Sequence, residues 1–317
     1  MSRLAICVPT FNHPRVVEHI ICYSAAFLKN NGVDIYYYDS STGDETKQII
    51  DGIRNKGFDN VYHIDVSPEL NFGQKVDLIF SGYGLTKEYD YIWPVKDRII
   101  HVEYTLQLVL DRCNKTPEAD VLVVLASGDL FSGYYVDIDA PSELYKLFGK
   151  QTTSIGTVVY NMRSMLGDYE YGTSLSAPRY KNDFWHFDHL YRKLARMSDP
   201  VISIISKEGA VAAESNAAGE SGWRRNLWKI WIEEWIQLNY ELPDIYAPHK
   251  LQVIKDTTSI NEIFGSEETL EKLYEDGLLT TDIYYEYEDM WDYVTTVPKK
   301  AIEKIARGEG RFSGRLE

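Results

Sequence analysis

Apolar residues open the chain in short blocks separated by polar turns. Leu4–Val8 is a continuous apolar run closed by Pro9, which predicts a buried strand ending in a turn. From Pro14 to Asn30 the positions Val17, Ile20, Ile21, Ala25, Phe27 and Leu28 recur at helical spacing, and Asn31-Gly32 marks the helix end. Val33–Tyr38 is β-branched and aromatic and predicts a second strand. The alternation continues with a helix over Glu45–Gly57, a strand over Asn60–Val66, a helix over Phe72–Gly82 and a strand over Tyr89–Val95. A helix over Val102–Asn114 and a continuous apolar strand over Asp120–Ala126 follow. Strands alternating with helices of this length predict βαβ units, an α/β fold and a mostly parallel sheet. Ligands of such sheets bind beyond the carboxyl ends of the strands. The loops after Val8, Tyr38 and Val95 are therefore where a site is expected.

Past residue 150 the pattern loosens. Thr152–Tyr160 and Val201–Ser206 predict strands, and Asp183–Met197 a helix. Glu208–Glu220 is small and polar and predicts a mobile loop. Trp223–Asn239 predicts an aromatic-rich helix, and Pro243–Lys250 a last strand-like return, with His249 a structural histidine rather than a metal ligand. Residues 259–317 hold short acidic helices and a basic tail, Lys299 to Arg315, expected to fray.

Composition narrows the class. The 317 residues carry 33 Lys+Arg against 48 Asp+Glu, a formal net charge of −15, which argues against a general nucleic-acid binder. A local cationic site for an anionic ligand stays open. The three cysteines, Cys7, Cys22 and Cys113, are odd in number and widely spaced, as in a reduced cytoplasmic protein, and give no disulfide framework. No run approaches the ~20 apolar residues of a membrane span, and Met-Ser-Arg leading into Leu4–Val8 is not the pattern of a signal peptide.

Three strand-end loops carry candidate chemistry. In Val8-Pro9-Thr10-Phe11-Asn12 the turn offers a hydroxyl and an amide, though Thr10 or Asn12 could equally cap the next helix. In Asp39-Ser40-Ser41-Thr42-Gly43-Asp44, Asp39 ends a buried strand and can accept hydrogen bonds from a ribose or a base edge, whereas Asp44 suits a helix N-terminus. In Lys96-Asp97-Arg98 a carboxylate between two cations is either a surface ion pair or a group that holds a divalent cation against a diphosphate. Trp228, Trp231 and Trp235 follow i, i+3, i+7 spacing and share a helix face, which predicts packing; a sugar-stacking surface is the alternative.

The order of these features resembles the family 2 glycosyltransferases, which have the GT-A fold. Val8–Asn12 matches the family's Val-Pro-Thr-aromatic-Asn turn, Asp39–Thr46 its second strand end, and Asn71 with Gly73 its Asn-x-Gly helix start. Lys96-Asp97-Arg98 stands where the family has Asp-x-Asp, and the likeness covers about residues 3–125. The resemblance implies a GT-A-like, Rossmann-like sheet flanked by helices, with a helical C-terminal extension. It divides the chain into a nucleotide-sugar half (1–125), an acceptor-binding and catalytic half (126–258) and the extension (259–317). Pro9, Thr10, Phe11, Asp39 and Lys75 are then expected at the nucleoside. Asp97 would hold Mn²⁺ or Mg²⁺, bound weakly for want of a second acid, with Lys96 and Arg98 sharing the leaving group's charge. Arg224 and Arg225 could close over the diphosphate.

The implied reaction is inverting sugar transfer from a nucleotide-sugar donor, a UDP-sugar first, to a hydroxyl of a lipid- or protein-linked glycan. The base candidates are Asp188, Asp183 and His186. The enzyme would be cytoplasmic, able to touch the inner face of the membrane through its basic tail, and able to form a homo-oligomer. Two alternatives remain: a non-catalytic sugar- or nucleotide-sugar-binding partner subunit of an active transferase, and a nucleotidyltransferase. The nucleotidyltransferase is disfavoured because the first strand lacks a Gly-rich phosphate loop.

Overall fold

A computed structural model of the chain describes residues 3–101, 103–116, 118–125, 135–169, 184–206, 210–212, 226–260 and 263–309. The chain divides into two compact units: Met1–Leu144 with Gln151–Ala218, and Tyr145–Lys150 with Gly219–Glu317.

In the first unit β1 (Leu4–Thr10), α1 (Pro14–Asn30), β2 (Asp34–Asp39), α2 (Glu45–Asn55), β3 (Val61–Asp65), α3 (Phe72–Phe80) and β4 (Tyr91–Pro94) alternate as the apolar blocks predict. There follow β5 (Ile99–His101), α4 (Glu103–Lys115), β6 (Val121–Leu125), β7 (Tyr135–Ile138), α5 (Pro141–Thr152, whose residues 145–150 belong to the second unit), β8 (Val158–Asn161), α6 (Trp185–Leu194), β9 (Ile202–Ser206) and β10 (Ala210–Ala212). Among the described residues one eight-stranded sheet has the order β3-β2-β1-β4-β8-β6-β9-β7. Strands β1 to β4 pair in parallel and β6 with β9 likewise; β8 is antiparallel to both its neighbours and β7 to β9.

Every residue of β1 and β2 is buried, as expected of strands covered on both faces. Two of the three tyrosines of β2 are tolerated there partly because their hydroxyls find partners: Tyr36 meets Tyr89 Oη at 2.7 Å and Tyr38 donates to the carbonyl of Tyr83 at 2.7 Å. Leu122, Trp93, Val17, Ile21 and Val109 pack in the core cluster that joins sheet and helices.

Several sequence expectations are corrected. Pro9 does not end β1, which runs on through Thr10. Cys7 faces β4, its carbonyl accepting from Val95 N at 2.9 Å, and pairing with β4 ends at Cys7–Pro94. By strand alternation the N–H that Pro9 lacks falls just past that last pair, so no ladder bond is lost. Within the expected loop 208–220, Ala210–Ala212 forms a strand antiparallel to β5; the other residues of that segment lie outside the described ones.

In the second unit, 3-10 helix Asp244–His249 and α8 (Lys250–Ile260) replace the expected strand at 243–250. Pro243 and Pro248 cannot donate to a ladder, and Pro243 instead stands at the helix start. The tryptophan segment begins as a π-helical turn, Lys229–Glu234, and continues as α7 (Trp235–Glu241). Trp228 stacks on Phe264 at 5.3 Å and Trp235 is fully buried, so these two pack within the unit. The first part of the basic tail forms α12 (Lys299–Ala306), following α9 (Glu267–Glu275), α10 (Thr281–Glu286) and α11 (Trp291–Val294); residues 310–315 of that tail lie outside the described ones. Burial of Ile302 and Ile305 fastens it. No helix among the described residues is long and apolar enough to cross a membrane.

Candidate active site

The carboxyl ends of β1, β2 and β4 converge on one hydrogen-bonded cluster. Thr10, last in β1, donates its hydroxyl to Asp97 Oδ2 at 2.9 Å, while its carbonyl accepts from Ser40 N at 3.2 Å and from Lys75 Nζ at 3.1 Å. Lys75 reaches in from α3, whose start is fixed by a capping box between Asn71 and Gln74. Its ammonium also donates to Ser40 Oγ at 3.0 Å and lies 5.8 Å from the centre of the Phe11 ring. Burial holds the Lys75 amine below its ordinary pKa, against the pull of Asp97 and Asp39. Phe11 is 43% exposed, an apolar ring presented at the mouth of the cluster.

Asn12 supplies the lock between the first two loops. It takes the left-handed conformation (φ 54°), the one non-glycine residue among those described to do so. Its N–H donates to Ser41 Oγ at 2.7 Å, and its side-chain oxygen accepts from Thr42 N at 3.1 Å.

Asp39 is 4% exposed. Its Oδ1 accepts from the N–H and hydroxyl of Ser41, and its Oδ2 from His63 Nε2 at 3.0 Å. Burial opposes ionisation, but the hydrogen bonds from His63 and Ser41 outweigh it and hold the carboxyl below its ordinary range. Oδ2 retains lone-pair capacity for a further donor.

At the β4 end, His13 is suspended between Asp97 and Arg98. Its Nδ1 lies 2.7 Å from Asp97 Oδ2 and its Nε2 lies 2.8 Å from Arg98 Nη2. A guanidinium only donates, so Nε2 accepts and the proton sits on Nδ1, directed at Asp97. The His13 ring is thereby the neutral Nδ1–H tautomer. Lys96 is exposed and donates to Ser154 Oγ at 3.1 Å.

Three cations, Lys75, Lys96 and Arg98, thus gather at these strand ends, each resting on a neutral acceptor and none in an ion pair among the described residues. In a chain of net charge −15 that is an anion-binding arrangement. It fits a divalent cation poorly. Asp97 commits Oδ2 to two donors, His13 uses both ring nitrogens, and no group of three His, Cys, Asp or Glu able to hold a metal occurs among the described residues. A metal at Asp97 would gain one carboxylate oxygen from this set and face the nearby cations.

Two of the base candidates sit on α6. Asp188, on α6, is 1% exposed and bound to Arg192 Nε at 2.7 Å. His186, also buried, donates from Nε2 to the carbonyl of Thr153 at 2.9 Å, next to the Ser154 that holds Lys96. Burial pushes its pKa down to about 4. Asp183, Arg224 and Arg225 lie outside the described residues. His13 and His63 escaped sequence reading. The only local signals were a histidine just ahead of Pro14 and a polar residue inside the third strand.

No protein-family model and no curated protein sequence matches the chain. Solved structures do match in fold. S. aureus TarS residues 1–349, a GT-A glycosyltransferase, superposes with a TM-score of 0.55 at 13% identity, covering 96% of this chain and 90% of that one. The same protein in complex with UDP gives 0.52 at 15% identity, with 96% and 90% covered. A mannosyltransferase from Pyrobaculum calidifontis, in complex with GDP-Man and Mn²⁺, gives 0.49 at 12% identity over 97% and 87%. That last likeness is too distant to carry an argument about ligands. The fold is GT-A-like, as the motif resemblance implies.

Proposed function

We propose that the chain is a nucleotide-sugar-dependent glycosyltransferase that binds its donor across the ends of β1, β2 and β4. The observation that carries this is the network of Thr10, Lys75, Asp97, His13 and Arg98, with the buried Asp39 paired beside Thr10 at the end of β2, at the sheet edge where α/β ligands bind. The UDP complex of the similarly folded TarS supports a uridine nucleotide as the first donor to test. Asp39, ionised and pinned by His63 and Ser41, accepts from an N–H on the base edge, which the N3–H of uracil supplies. Pro9 and Phe11 line the nucleoside, and Lys75 adds positive potential beneath it.

The acceptor hydroxyl, on a lipid- or protein-linked glycan, attacks the anomeric carbon from the face opposite the diphosphate. A base drawn from Asp188, Asp183 and His186 takes its proton, and Lys96 and Arg98 stabilise the departing diphosphate. Arg224 and Arg225 are assigned to closing over it. A non-catalytic donor-binding subunit is the second reading, favoured by the closed surroundings of Asp188 and His186. Incubation with UDP- and GDP-sugars, with release of nucleoside diphosphate as the readout, separates the two. Release by the wild type, reduced in Asp39→Asn and Arg98→Gln, supports the enzyme; tight binding without release supports the subunit.

A further inference from the structure

We propose that the diphosphate site works without a divalent cation, and that Asp97 acts as a positioning carboxylate for His13 and Arg98. This rests on the donor-binding role proposed above. The geometry has a direction. Thr10 and His13 both donate to the same oxygen of Asp97, so the carboxylate fixes the imidazole, and the imidazole's remaining nitrogen fixes Arg98 Nη2. A carboxylate shared by two protein donors is a tethering group. Arg98 spends one of its five N–H donors on His13, and the remaining four include those that can grip a phosphate oxygen pair side by side.

Electrostatics point the same way. Among the described residues the cations Lys75, Lys96 and Arg98 have neutral acceptors as partners, so their charge is available to an incoming anion. Two charges of the same sign near a bound divalent cation would weaken its binding, whereas they strengthen that of a bare diphosphate. Lys75 is buried and contributes field rather than contact; Lys96 and Arg98 are placed to touch the ligand. Arg98 supplies charge of the sign that a metal would otherwise bring, and it does so in the position that Asp97 and His13 dictate.

The test is calorimetric titration of the full chain with UDP and GDP, in excess EDTA and again with Mn²⁺. The expected result is the same affinity in both for the nucleotide that binds. Arg98→Gln weakens it about 10- to 100-fold in either condition, the loss of one charge-assisted contact. Asp97→Asn and His13→Ala each weaken it to a similar, smaller extent, and the double variant is no worse than either alone, because the two act through one chain of contacts. Thermal melts of the variants confirm that they fold, and the EDTA comparison on wild type needs no variant. Binding that collapses in EDTA and returns with Mn²⁺, but not in Asp97→Asn, would overturn the inference and leave the nucleotide reading standing. Absence of binding by either nucleotide in both conditions would overturn both.

Discussion

Asp39 and His63 meet across neighbouring parallel strands, His63 Nε2 donating to the Asp39 carboxylate at 3.0 Å with both side chains largely buried. His63 pairs with Tyr37 in the β2–β3 register, two positions short of Asp39, and from there it fixes the acid that the base edge of a donor would read. His63→Ala leaves a buried carboxylate with only Ser41, and a loss of about 1–3 kcal/mol in stability is expected. Because the folded pKa of Asp39 lies below its unfolded value, its contribution is complete above the ordinary carboxylate range and disappears as pH falls through the folded value. Removing His63 raises the folded pKa, so the Asp39 share of acid destabilisation shrinks. Melting temperatures from neutral pH down to about 3, for wild type and His63→Ala, check both the size and the sign.

A second pH dependence comes from α6. Burial pushes His186 and His189 each down to about 4, and both ring Nδ1 atoms are buried with no hydrogen-bond partner among the described residues. Unfolded histidine binds its proton near pH 6.5, so between about 6.5 and 4 the unfolded chain holds protons that the folded chain refuses. Stability is therefore full above about 6.5 and falls on acidification by roughly 1.4 kcal/mol per pH unit for each histidine. Urea midpoints across that range should fall steeply in wild type and more gently in His189→Gln, which cannot take up a proton.

Asn12 tests the turn. An L-residue at φ 54° costs about 1–2 kcal/mol unless side-chain bonds compensate, and here they do so through Ser41 and Thr42. Asn12→Ala keeps the strain and loses the acceptor for Thr42; Asn12→Gly relieves the strain and loses the same acceptor. Asn12→Ala should melt lower than Asn12→Gly by an amount of about 1 kcal/mol, and both should bind donor nucleotide less tightly than wild type. Equal melting temperatures for the two would show that the left-handed conformation is not a stability feature here.

The strand-helix alternation up to residue 125 was readable because each buried strand is a continuous apolar run and each helix a periodic one. Thr10, Asp39 and Asp97 could be found because strand ends are marked by the polar break that follows. His13 could not: its partner Asp97 lies 84 positions away, and nothing in the neighbouring letters encodes that distance. His63 is the same case at 24 positions. The segment 243–250 misleads for a different reason. Tyr246 alone of the 3-10 helix is buried, and the prolines decide the geometry.

Asp188 separates a catalytic role from a structural one. Its carboxylate is 1% exposed and held by Arg192, four residues on along α6. Breaking one partner of a buried pair costs about 3–5 kcal/mol because the other charge is left without compensation. Asp188→Asn and Arg192→Gln are therefore expected to lower stability alike, seen as matching shifts in urea midpoint. A base would add something that Arg192→Gln cannot reproduce: kcat reduced about 10²- to 10⁴-fold per folded molecule, with the donor KM unchanged. We expect Asp188→Asn to show the stability loss without that kcat loss, since the carboxylate is buried against Arg192. His186→Gln and Asp183→Asn, measured in the same assay, then decide which of the remaining two takes the proton. A kcat loss of that size in Asp188→Asn alone would return the base to Asp188 and require α6 or its cover to move when donor binds.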